Sequence, residues 1–128
     1  MYVMKTSINA LHHQGTDWLR EMEFYKEEIA ILTKRLEEAS GLSSDKDVAA
    51  QVEHFQNKFV VLREQLDILK HDIGIKNHEL QELTRQKPEH IHEKSTEMAD
   101  SLRDRVKMFA ATMADTRFEF NRFLSKVF

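Results

Sequence analysis

Apolar residues recur at alternating steps of three and four along three long segments of this chain. In the first they fall at Ile8, Leu11, Trp18, Met22, Tyr25, Ile29, Leu32, Leu36 and Ala39, with Gly15 in the vacant slot. The second carries Val52, Phe55, Phe59, Leu62, Leu66, Leu69, Ile73, Leu80 and Leu83, with Lys76 as the one polar member. The third runs through Ile91, Ser95, Met98, Leu102, Val106, Phe109, Met113, Thr116, Phe120, Phe123 and Val127. Such spacing keeps one stripe of a helix facing its neighbour as the two wind left-handedly around each other. Lys76 fits if its stem lies along the stripe and its ammonium reaches water. Two successive four-residue steps, Met98 to Leu102 to Val106, read as a stutter that locally unwinds the supercoil.

Three glycines and one proline in 128 residues cannot supply the turn every ~8–12 residues that a sandwich or barrel requires. The expected fold is therefore all-α: one domain over residues 1–128, an antiparallel up-down-up bundle of three long, coiled-coil-like helices. Their expected spans are roughly 5–40, 45–86 and 89–126. Ser40-Gly41-Leu42 offers a left-handed glycine and an apolar residue able to pack back, a common helix ending. Ser44, with Asp47 three residues on, resembles a capping box for the second helix. In "QKPEHIHEK", Pro88 suits a first helical turn, and Glu89 and Glu93 suit the positive end of the dipole. Gly15, inside "HHQGTDW", marks a candidate break, with Thr16 or Asp17 able to cap a fresh start.

Several functional classes are disfavoured at once. The absence of cysteine removes disulfides, thiolate nucleophiles and cysteine–zinc sites. A net charge of −3 without a basic block argues against nucleic acid and against a polybasic membrane patch. No apolar run nears the ~18 residues of a membrane span, and the first residues lack the apolar core of a signal peptide. The expected setting is cytoplasmic, with neither membrane nor nucleic acid as partner.

What remains is an apolar surplus. Val61, Ile68 and Ile75 form a second column in the middle segment, with Val60 beside it; Phe24 and Ile31 hold the same kind of flank in the first. In the third, Ala111, Ala114 and Phe118 lie almost opposite the seam. Bundle seams are often wide, and Gln65, Asp72 and Glu79 connect the middle column to its seam, so a place at the core margin stays open there. An exposed apolar strip, by contrast, marks an association surface. The residues expected to make contact are Phe24, Ile31, Val61, Ile68, Ile75 and Phe118. The expected partner is protein: a homo-oligomer such as a dimer, or a partner helix.

Metal binding is the alternative. His78 and Glu82 share a helix face, and Glu89, His90 and His92 follow across the turn; two histidines and a carboxylate can hold zinc. Against this, His78 falls on an outer position where histidines are usually solvated. A di-iron bundle needs Glu-x-x-His motifs on two helices, and Glu89-x-x-His92 stands alone. No cofactor is therefore expected. Nor is there a glycine-rich phosphate loop or a nucleophile elbow, so the chain does not read as an enzyme. His12 and His13 flank Leu11 at the seam's edge, and Trp18 and Tyr25 lie on the seam, which makes structural roles the simpler assignment. Protonating all seven histidines would turn the net charge positive, so association could respond to pH where histidine ordinarily titrates.

The stretches "LHHQGTDWLREMEFYKEEI", "EHFQNKF", "LRDRVKMF" and "EFNRFL" resemble those of an uncharacterised group of small bacterial helical proteins. That resemblance spans most of the chain and implies a helical bundle without assigning an activity or a site residue. In outline alone the pattern also resembles spectrin-type three-helix repeats, an analogy that carries no function.

Overall fold

Three helices span Tyr2–Ser40 (α1), Lys46–Gln86 (α2) and Pro88–Val127 (α3), each about 60 Å long at ~1.5 Å per residue. The computed structural model describes the backbone of residues 2–86 and 88–128, and side-chain surroundings for residues 10–82, 85 and 96–128. The helices pack around one shared core, α2 antiparallel to both neighbours. Ion pairs record the register. Lys58, early in α2, meets Glu119, late in α3, at 3.2 Å, while Asp72 meets Arg105 at 2.8 Å. Between the parallel helices, Glu28 pairs with Arg117 and Gln14 with Arg103, the same 89-residue separation in both cases.

The heptad stripes are the core. Met22, Ile29, Leu32, Leu36 and Ala39 from α1 are buried against Val52 through Ile73 on the α2 seam and Leu102 through Phe123 on α3. Trp18 and Tyr25 are half-buried against it. Each fully buried Leu, Ile or Phe contributes about 1.5–3 kcal/mol relative to exposure, against about 0–1 kcal/mol for an exposed ion pair. Burial therefore dominates stability, and the charges refine register.

At one end, Phe55, Phe59, Phe120 and Phe123 interlock with ring centroids 5.2 to 6.2 Å apart. Thr116 is the one buried polar residue described; its hydroxyl donates to the Thr112 carbonyl at 2.7 Å, so it enters the seam with its hydrogen bond made locally.

Helix α1 runs unbroken through Gly15, as its expected span of roughly 5–40 has it, and the Thr16 hydroxyl donates back to the His12 carbonyl at 3.1 Å. Three details depart from expectation. Among the described residues the expected stutter is absent: Ala99 is buried and Met98 only half-buried, so Ala99, Leu102, Val106 and Phe109 keep the three-four rhythm. Gly41 is not left-handed; α1 ends instead in tight turns, Gly41 N–H to Glu38 O at 3.2 Å and Leu42 N–H to Ala39 O at 3.1 Å, which leave Leu42 exposed. The α2 cap is Asp45, not Ser44: its carboxylate accepts from Asp47 N–H at 2.8 Å, and Ser43 Oγ accepts from Asp45 N–H at 3.1 Å.

Candidate interaction surface

Seam geometry dictates which positions are left outside. A side chain immediately before a seam residue of the second type in each heptad points well away from the core, and the apolar surplus occupies that slot repeatedly. Phe24 precedes Tyr25, Ile31 precedes Leu32, Val61 precedes Leu62 and Ile68 precedes Leu69. All six residues expected to make contact are exposed. Val61, Ile68 and Ile75 keep 48%, 58% and 42% of their surface, so the α2 column is no margin of the core.

The six do not gather on one face. Ile68 borders a depression between α2 and α3 that it shares with Met108 and Thr112. Ile75 borders another, lined mostly by α2, to which α1 contributes Leu19. Phe24 lies between α1 and α3, next to Tyr25 and Arg117. Phe118 projects from α3 with the Arg122 guanidinium 6.0 Å from its ring centroid, a cation held over an exposed aromatic face. The α2 column is the longest aligned apolar feature among these.

Met108, 72% exposed, escaped the sequence reading although it borders the same depression as Ile68. Its signal was available: it precedes Phe109 as Ile68 precedes Leu69.

Beside Phe24, the polar groups are satisfied. Arg117 donates from Nε and Nη2 to the two Glu28 oxygens at 2.8 and 2.6 Å, a paired arrangement that raises the arginine's already high pKa. The Tyr25 hydroxyl donates to Glu21 at 3.4 Å. Burial first, then the Glu21 charge, push the Tyr25 phenol above its ordinary value.

For the metal alternative, His78 is exposed and Glu82 half-buried, with Arg85 3.9 Å from the Glu82 carboxylate. The side chains of Glu89, His90 and His92 lie outside the described residues. Among the described residues no group of three or more histidines and carboxylates is placed to hold a metal ion. No helix among them is long and apolar enough to cross a membrane. His12 and His13 meet edge-on, ring centroids 6.2 Å apart.

Fold and surface together define a three-helix, coiled-coil-like bundle bearing uncovered apolar columns. Comparison with known protein families, with curated proteins and with solved structures yields no match for this chain.

Proposed function

We propose that the protein is a non-enzymatic interaction module of the cytoplasm, and that its first partner is another copy of itself, bound through the outer face of α2. One observation carries this reading: three aliphatic residues, Val61, Ile68 and Ile75, stand exposed in line on a single helix. Scattered surface apolar residues need no explanation, but an aligned strip about 21 Å long, at ~1.5 Å per residue, is a surface that association would cover. Met108 widens the strip across the neighbouring groove.

Sedimentation equilibrium of the wild type and of Ile68→Asp tests the reading. The wild type is expected to associate as concentration rises, and Ile68→Asp to remain a monomer with unchanged helical circular dichroism. A wild type that sediments as a monomer throughout the concentration range would sink it.

A further inference from the structure

The outer column of α2 extends beyond its apolar centre. At the same seven-residue spacing, His54 precedes Val61 and Glu82 follows Ile75. The column therefore reads His54, Val61, Ile68, Ile75, Glu82, with Ile68 at its midpoint. It is near-palindromic in shape, with an imidazole hydrogen-bonding group at one end and a carboxylate at the other.

From this pattern we infer that two copies pair α2 against α2 in antiparallel fashion, about a two-fold axis through Ile68. The inference rests on the self-association proposed above and specifies its register. In that arrangement Ile68 packs on Ile68 of the second copy, Val61 packs on its Ile75, and His54 faces its Glu82. A two-fold interface uses one patch twice, so the patch must be complementary to its own rotated image. This one is. The parallel alternative buries the same aliphatic residues but sets Glu82 against Glu82, which like charge disfavours.

The surroundings permit the pairing. His54 is exposed at the edge of a depression whose charged members are Asp47, Glu119, Arg122 and Lys126. Among the described residues Glu82 makes a long contact to Arg85 at 3.9 Å. Because the α2 seam keeps a heptad rhythm, the outer column follows the bundle's own left-handed winding. A second α2 can follow it over about 42 Å, 28 residues at ~1.5 Å each.

The chain has no cysteine, so single-cysteine variants report the register cleanly. Ile68→Cys, Val61→Cys and Ile75→Cys are each oxidised with diamide, and Val61→Cys is also oxidised after mixing with Ile75→Cys. Expected is a covalent dimer from Ile68→Cys alone and from the mixture. Val61→Cys and Ile75→Cys alone should give none, because a two-fold axis at residue 68 separates each from its own copy by about 21 Å at ~1.5 Å per residue. Ready self-cross-linking of Val61→Cys would overturn the antiparallel register while leaving self-association standing. So would an associating protein in which no variant cross-links. A wild type monomeric by sedimentation would remove both proposals together.

Discussion

Asn77 of α2 fills the space that Gly15 leaves on α1: a Cβ built on the glycine would stand 2.8 Å from Asn77 Cγ and 2.9 Å from Nδ2. Gly15 is buried at the helix–helix contact, and its missing side chain lets α1 accept a polar neighbour from α2. The glycine serves packing, and the helix runs straight through it.

Gly15→Ala requires the half-buried Asn77 amide to swing aside, a movement of a side-chain tip that offsets most of the about 1 kcal/mol gained in helix propensity, so its net effect should be small. In an Asn77→Ala background the obstruction is gone, and the same substitution should show its full stabilisation. Urea unfolding of the four proteins in the cycle measures the difference. Gly74 is the control. Nothing lies within 4 Å of a Cβ there, so Gly74→Ala should stabilise by about 0.5–1 kcal/mol.

The Glu28–Arg117 pair should couple its two residues by about 1 kcal/mol in a double-mutant cycle. Paired hydrogen bonds raise the figure, and partial exposure of Arg117 limits it. Arg117→Lys should lose most of that coupling, because an ammonium cannot make two parallel bonds to one carboxylate. Chemical denaturation of the cycle at low and moderate salt checks both statements. A coupling near zero at low salt would show the pair to be incidental.

Tyr25 should titrate late. The unfolded chain loses the phenol proton near its ordinary value of ~10, whereas burial and Glu21 hold that proton on the folded protein to higher pH. Between the two values the unfolded state binds fewer protons. The stability contributed by neutral Tyr25 is thus intact below about pH 10 and is lost as pH rises through the folded value. Phenolate absorbance of a Tyr2→Phe variant isolates this residue, and adding Glu21→Gln should lower its titration midpoint.

Thr116→Val should be nearly neutral, within about 1 kcal/mol, because the hydroxyl bonds locally, to the Thr112 carbonyl of its own helix. Thr116→Ala instead opens space beside Met113 and Phe120, neighbours on the same seam, and should cost more. Thermal unfolding ranks the two. A valine variant worse than the alanine would mean the hydroxyl does more than satisfy itself.

The seam was legible because burial follows periodicity: Leu66, Ile73, Met113 and Phe120 lie where the three-four rhythm places them. Helix ends were less so. Ser44 and Asp45 are adjacent candidates for one cap, and only backbone geometry chooses between them. Ala99 was missed because an alanine beside a methionine gives a weak apolar contrast, yet it is the alanine that is buried. The contact candidates on the outer face were readable from spacing alone. Which of them border depressions between helices was not, because which flanks meet depends on how the helices are arranged around the core.

The aromatic knot of Phe55, Phe59, Phe120 and Phe123 gives the bundle a mechanical polarity. Near that end the described seam is closed by interlocking rings, whereas towards the other it contains Gly15, Lys76 and Asn77, with Leu11 and Trp18 only half-buried. Opening costs least where fewest apolar contacts must be surrendered. Amide hydrogen exchange should therefore run as a gradient along the rod, slowest around Phe59 and Phe120 and progressively faster towards Trp18 and Leu102. A force applied across the molecule would peel the helices from that softer end while the phenylalanine end still held them as one.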